Sequence, residues 1–388
     1  MKRANAFPSK GMRLLAASLV AFICLLPATA APRDPPSGQL EIHYINVGQG
    51  GSTLIVGPDG TTILFDFGAV AGSRDIVPYL RAMLGLMPGE GLDYAMVSHG
   101  DKDHYFGYKD VVEADIDVLK ANYEPGTKKA KSSTMLSAWF NPAKKTRAGA
   151  FKPIPVGLRI NLGKGAEAFV AAANGVVMGE TKSKPVKNEN DRSISLFIRY
   201  GNFHYILDGD LGSGPEDCTK HDTNQLDVQT RVARALIGSN LMSAEHGVDV
   251  MHVAHHGSES STSAAYYNFM KPEVGLISVG QNQGTFLHPR EDVVDRVLLH
   301  NGKVPRASCV TAPPLKALFQ TEEGTSGCSS TGCTSFSAMV VGDIKLVTDG
   351  KSGYSITGSH RVHGTPKDKM TAQRQWDFEL DESTSTPR

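Results

Sequence analysis

Four side chains able to ligate a metal, His99, Asp101, Asp103 and His104, fall within six positions of the segment Ser98-His-Gly-Asp-Lys-Asp-His-Tyr-Phe-Gly107. Imidazole and carboxylate are the ligands that divalent metals use in hydrolytic sites. A chance Asp- and His-rich turn would need no partners elsewhere, but further candidates follow in Asp210, His255, His256 and His288. Two ions a few ångströms apart need about three protein ligands each plus a bridge, and this set is large enough. Such a pair lowers the pKa of a water and stabilises charge on a substrate oxygen, so the protein need supply no nucleophile.

Each candidate lies just past an apolar run that reads as a strand. Tyr94 to Val97 leads into the His99 loop, and His204 to Asp208 leads to Asp210. Val248 to Ala254 leads to His255 and His256, and Val274 to Val279 reaches His288 through a glycine-rich loop. One cleft at the edge of a sheet can therefore collect all of them. Upstream, Leu40 to Val47, Ser52 to Val56 and Thr61 to Phe67 read as three strands, the last two joined by the hairpin signal Pro58-Asp-Gly60. Asp66 ends the third as a turn or supporting carboxylate. Helical periodicity covers Ile76 to Leu86 and is expected over Asp110 to Asn122, Thr230 to Leu236 and Arg290 to His300. The order βββαβα belongs to a layered αβ domain. Strand-then-polar-loop recurs in the C-terminal half, which suggests two similar sheets face to face.

The chain of 388 residues, 40% hydrophobic and 21% charged, can bury a substantial core. Residues 1–30 combine four basic side chains, an apolar run from Leu14 to Leu26 and the small-residue stretch Pro27-Ala-Thr-Ala30, the pattern of a secretory signal peptide. The alternative is an uncleaved anchor, for which the run is short. Taking those four from the 40 Lys and Arg leaves 36 against 40 Asp and Glu, a mildly acidic mature protein that is secreted or periplasmic. Four cysteines remain, and in an oxidising compartment disulfides are expected. Cys328 and Cys333 bracket a short loop that can close on itself, leaving Cys218 with Cys309, although four cysteines allow three connectivities.

Residues 126–187 hold twelve Lys or Arg, Lys128, Lys129 and Lys131 among them, against Glu167 and Glu180. They also hold Trp139 and Phe140. This basic insertion reads either as a flap that draws a polyanion to the site or as a solvated surface addition. The main domain is expected over residues 38–360, followed by a charged, flexible tail over 361–388. Serine hydrolase chemistry is excluded by the absence of a Gly-x-Ser-x-Gly elbow. No Gly-x-x-x-x-Gly-Lys loop is present, and Gly48-Gln-Gly50 alone is too weak a signal for nucleotide binding.

The segment from Ser98 to Gly107 resembles the His-x-His-x-Asp-His signature of the metallo-β-lactamase superfamily, with Asp at the second His. That variant is similar to the hydrolase domain of ComEC-type competence proteins. Asn46-Val-Gly-Gln-Gly50 with Leu64-Phe-Asp66, Asn190 to Arg199 leading to Gly209-Asp210, Val253-Ala-His-His-Gly-Ser258, and Ile277-Ser-Val-Gly280 with His288-Pro289 match in the family's order. The resemblance implies a four-layer αββα sandwich with a dinuclear site between the sheets. By position, it implies that His99, Asp101 and a bridging Asp210 hold one ion. Asp103, His104, Asp210 and His256 would hold the other, with His255 beside it, and His288 would approach the substrate; Asp103 and His288 are thus the catalytic candidates. The family's third His has no counterpart, and Asn190 and Asp191 lie nearest. The first site is therefore carboxylate-rich, which favours Mn²⁺ over Zn²⁺. Asn46 and Gly51 stand where Asp is usual, and Asp208 where Thr is common. The expected function is hydrolysis of phosphodiester bonds, DNA being a candidate substrate. A lactam, lactone or thioester hydrolase and a non-catalytic polyanion-binding module are the alternatives.

Overall fold

Two mixed β-sheets lie face to face in a computed structural model, which describes residues 37–380 apart from 70–72, 127–130, 182–184, 187, 216–223, 282, 284–285, 301–305, 326–327, 330–331 and 335–336. The first sheet runs Gln375–Glu379, Gly353–Gly358, Ile344–Thr348, Leu40–Tyr44, Thr53–Val56, Thr62–Phe65, Gly91–Met96, Asp117–Glu124, Lys152–Pro153. It is antiparallel as far as Thr62–Phe65 and parallel beyond. The second runs Met339–Val340, Ala317–Gln320, Val274–Ile277, Val250–His252, Phe203–Leu207, Ser195–Tyr200, Ala166–Ala173, Arg159–Gly163, with Val176–Val177 paired at its side. Its strands from Phe203–Leu207 to Met339–Val340 are parallel.

Three apolar layers follow from the two-residue alternation of these strands. Ile55, Ile63, Phe65, Leu196, Ile198 and Tyr205 point between the sheets, where Tyr44 and Tyr205 bond hydroxyl to hydroxyl at 2.6 Å. Their neighbours Leu54 and Leu64 face outward, under the helices Ser73–Leu84 and Tyr108–Glu113. Phe197, Ile206 and Met251 face outward from the second sheet, under the helices Gln229–Gly238 and Ala264–Met270. The layers are therefore α/β/β/α. Strands covered on both faces read as apolar runs, which is why they were legible.

Several elements differ from expectation. The helix expected over Asp110 to Asn122 stops at Glu113, where Asp115 turns left-handed at φ 61°, and Asp117–Glu124 is a strand between two parallel neighbours. Residues 126–187 are not an appended flap. They supply Lys152–Pro153 to the first sheet and Arg159–Gly163, Ala166–Ala173 and Val176–Val177 to the second. Trp139 is fully buried and stacks on Tyr105 at 5.2 Å, so this aromatic pair belongs to the core under the ligand loop. The expected tail contributes Gln375–Glu379 as an edge strand, anchored by Trp376 against Phe319 and Phe378 against Tyr354. The proposed signal peptide, Cys218, Lys128, Lys129 and residues 381–388 lie outside the described residues. Cys328 and Cys333 face each other in the register of a two-stranded ribbon. Among the described residues no helix is long and apolar enough to cross a membrane.

Candidate metal centre

The parallel strands of both sheets point their carboxyl ends at one place. Gly91–Met96 delivers His99 to His104, Phe203–Leu207 delivers Asp210, Val250–His252 delivers His255 and His256, and Thr62–Phe65 delivers Asp66. Backbone bonds lock the loops together: Ile194 N donates to Ser98 O at 3.0 Å, Gly51 N to Asp103 O at 3.1 Å and Phe67 N to His104 O at 2.7 Å. Gly209 lets two loops meet, because at φ 52° a Cβ there would lie 2.9 Å from the Ser98 Cβ. His255 and His256 are successive left-handed residues, φ 52° and 56°, a conformation that costs about 1–3 kcal/mol each and persists where surrounding structure imposes it.

Asp210 Oδ2 sits at the middle of the imidazoles: 3.2 Å from His104 Nε2, 3.7 Å from His256 Nε2, and 3.8 Å from both His99 Nε2 and His255 Nε2. Asp103 Oδ2 lies 3.3 Å from His256 Nε2 and 3.9 Å from His104 Nε2, and Asp101 Oδ2 3.4 Å from His99 Nε2. These spacings match the roughly 3.4 Å edge of a tetrahedron of ligands about 2.1 Å from an ion. Two sets fall within mutual reach, His99, His104 and Asp210, and Asp103, His104 and His256. His104 thus stands between the two groups that the sequence resemblance kept apart.

Each of the three innermost imidazoles spends Nδ1 on the protein. His104 Nδ1 bonds Asp66 Oδ2 at 2.7 Å, His256 Nδ1 bonds the Ser278 carbonyl at 2.7 Å, and His99 Nδ1 meets Ser98 Oγ at 2.9 Å. A carboxylate and a carbonyl only accept, so Nδ1 of His104 and His256 carries a hydrogen, and in the neutral ring Nε2 is the atom with the lone pair. Nε2 of His99, His104 and His256 and Oδ1 of Asp210 are buried without hydrogen-bond partners. Orphaning four such atoms in one place is unfavourable unless an ion satisfies them, so the donor set fits a divalent metal.

The charges interlock in the same sense. Burial alone would lower the His104 pKa, but Asp210, Asp66 and Asp103 reverse this and hold it well above the ordinary value. Burial would raise Asp210, yet His104, His256 and His255 hold it well below the carboxylate range. Where an ion would sit, protons and carboxylates balance each other, so metal uptake releases protons.

Asp66 is a supporting group rather than a ligand, as its place after a strand suggested. It also accepts from Ser98 N and Ser98 Oγ, both at 2.7 Å. Of the two candidates for the missing third imidazole, Asn190 faces the site: its Nδ2 lies 3.2 Å from His255 Nε2 and its Oδ1 is buried and unpartnered. Asp191 turns away to accept from Leu226 N, and burial pushes it up to about 6. His255 is also held through Nδ1 to Ser260 Oγ at 2.8 Å. His288 stands across the cleft with its ring 5.4 Å from that of His255, its Nδ1 buried and unpartnered. Asp208 lies beneath, fully buried, accepting from Ser195, Gln229 and Tyr266.

Two supports, Gln283 and Glu189, carried no signal in the sequence. Gln283 accepts from His288 N at 2.5 Å and donates to His288 O at 2.9 Å, pinning that residue's backbone. Glu189 accepts from Gly100 N at 3.1 Å, fixing the loop between His99 and Asp101. Gly48 to Gly51 serves as the surface on which the ligand loop rests. Only Ser98, adjoining His99 in the motif, carried a local signal.

No family model matches the chain. It is 26% identical over 259 residues to Recombination protein 2 of Haemophilus influenzae, covering 64% of this chain and 25% of that protein. It is 23% identical over 288 residues to ComE operon protein 3 of Bacillus subtilis, covering 70% of this chain and 32% of that protein. The chain thus spans a quarter to a third of the length of these relatives. The sandwich has the α/β/β/α layering that the sequence resemblance implied. Among solved structures, the metallo-β-lactamase fold protein YhfI of Bacillus subtilis aligns with TM-score 0.38 and 11% identity over 66% of this chain and 92% of that one. CmlA, a diiron β-hydroxylase of Streptomyces venezuelae, aligns with TM-score 0.36 and 13% identity over 66% of this chain and 47% of that one.

Proposed function

We propose that the protein is a secreted, metal-dependent hydrolase of phosphodiester bonds. The observation that carries the metal-dependent part is the ring of buried, unpartnered Nε2 atoms of His99, His104 and His256 around Asp210. His99, Asp101 and Asp210 would hold one ion, Asp103, His104 and His256 the other, with Asp210 and His104 at the boundary. Bound there, two divalent ions, Mn²⁺ or Zn²⁺, supply a water activated near neutral pH and stabilise charge on the substrate oxygen. The similarity to two competence and recombination proteins supports a phosphodiester, DNA among them, over a lactam, lactone or thioester.

The chain's own groups do the positioning. The cleft of about 880 Å³ is lined by Asp101, Asp103, Asp210, His255, His256 and His288 together with Gln49, Asn188, Asn190 and Gln225. Burial beside His255 and His256 keeps His288 neutral, well below the usual imidazole range, so it acts as a hydrogen-bonding group toward a substrate oxygen. Water's oxygen forms the new bond to phosphorus, the bond to the leaving oxygen breaks, and that oxygen takes up a proton.

A panel of a diester, a lactam, a lactone and a thioester, assayed after chelator treatment and after readdition of Mn²⁺ or Zn²⁺, tests this reading. Diester hydrolysis that chelator abolishes and metal restores, and that Asp210→Asn removes, is expected. Turnover of a lactam, lactone or thioester but not the diester would replace it, and a chain that takes up no transition metal would leave the non-catalytic reading.

A further inference from the structure

Phe286 stands apart from every other apolar side chain at the cleft. It is 66% exposed, and it is the one aromatic ring among the exposed large hydrophobic side chains of the described residues. It lines the cleft rather than the outer surface. Its ring stacks on His288, centroids 6.0 Å apart and planes at 26°, so one face is supported while the rest is open. His288 is 4% exposed, aimed into the same cleft with Nδ1 unpartnered, and its backbone is pinned by Gln283.

A lone exposed Phe on an outer surface is ordinary, but this one lines the cleft beside the His and Asp cluster, and the rest of the lining argues what it meets. Lys102 is the one Lys or Arg among the described lining residues, against Asp101, Asp103, Asp210 and Glu259. A polyanion would therefore not be held there by basic side chains. What the wall offers instead is a stacking face and the uncharged donors and acceptors of Gln49, Asn188, Asn190 and Gln225. Asn190 Oδ1 is buried and without a partner, an acceptor ready for a ligand's N–H. A flat ring with hydrogen-bonding edges matches both features, and a nucleobase is such a ring.

We propose that Phe286 is a specificity-determining residue whose open ring face stacks on the nucleobase of a substrate whose phosphodiester lies over the His and Asp cluster beside His288. This rests on the phosphodiester reading above. Recognition then depends on the base rather than on the charge of a long duplex, so a short single-stranded end suffices as substrate.

The test uses the purified chain loaded with Mn²⁺ and two substrates that share one scissile bond: thymidylyl-3′,5′-thymidine and the same dinucleotide analogue lacking both bases. The ratio of their kcat/KM values is measured on one preparation, so any unfolded fraction cancels. Stacking on an aromatic side chain predicts that Phe286→Ala lowers this ratio by roughly tenfold to a hundredfold, while Phe286→Trp preserves it. Hydrolysis of both diesters with a ratio unchanged by Phe286→Ala overturns the role of Phe286 and leaves the phosphodiester reading standing. Hydrolysis of neither by the wild-type chain overturns that reading and this one with it.

Discussion

Replacing Asp66 by Asn is the sharpest probe of the centre, because Asp66 touches no candidate metal position and acts through His104. Its Oδ2 accepts from His104 Nδ1 and Ser98 Oγ, and its Oδ1 from Ser98 N, each at 2.7 Å. Asn is the right substitution: Asp66 is left-handed at φ 64°, a region that Asn tolerates and Ala does not. The amide cannot reproduce the bonds. With its NH₂ toward His104, it faces the Nδ1–H and drives that hydrogen to Nε2, which removes the lone pair aimed at the cluster. Flipped, the NH₂ meets the Ser98 N–H, donor against donor. Supporting partners of this kind are worth about tenfold to a hundredfold in metal affinity, or about 1.4–2.7 kcal/mol. Competition for Zn²⁺ or Mn²⁺ against a chromophoric chelator measures the loss, with circular dichroism of the metal-free variant showing that the fold survives. A folded variant whose affinity lies within twofold of wild type would refute the reasoning that His104 is oriented by Asp66.

Three other outcomes follow from the same structure. Asp249 is buried, which with Glu273 nearby pushes its carboxyl up to about 7 despite a bond from His204 N. Between the unfolded value near 3.8 and 7 the folded chain holds a proton that the unfolded chain does not, so stability from this group declines as pH rises through that window. Asp249→Asn, whose amide oxygen still accepts from His204 N, is expected to flatten that decline by at most about 3 kcal/mol between pH 5 and pH 8, read from urea melts at the two values; parallel pH dependence in variant and wild type would count against it. Trp139→Ala is expected to destabilise by about 3–5 kcal/mol, seen as a lower urea midpoint, whereas a surface flap residue would leave it unchanged. Gly209→Ala drives a Cβ to 2.9 Å from Ser98 Cβ at φ 52°, so a loss of about 1–3 kcal/mol in the metal-free protein is expected, and an unchanged thermal midpoint would contradict the close approach of the two loops.

The candidate ligands that the structure brings together were legible because each is a chemically distinctive residue at the end of an apolar run, and strand ends in parallel sheets converge. Two supports were not: Glu189 reaches Gly100 across 89 positions of sequence, and Gln283, five positions before His288, clamps its backbone in a loop where no residue pattern marks that role. Asp117–Glu124 misled because Leu119, Lys120 and Ala121 favour helix, while pairing with two parallel neighbours decides otherwise. Charge also obscured residues 126–187: Ala166–Ala173 is buried along its whole length, but an alanine-rich strand has little alternation to detect. In the C-terminal segment, Trp376 and Phe378 do alternate, over too short a span to stand out.

The exchange of strands between the halves of the chain bears on how the protein folds. Leu40–Tyr44, near the start of the described chain, pairs with Ile344–Thr348, about three hundred residues later, while Arg159–Gly163 and Ala166–Ala173 cross to the other sheet. Neither sheet can close from one half alone, and closing such long loops precedes the contacts that reward it. Folding is therefore expected to be slow and to wait on nearly the whole chain, with His99 to His104 idle until the strand bearing Asp210 docks. A divalent ion would then bind a nearly finished molecule and act as a latch on the native state rather than as its nucleus.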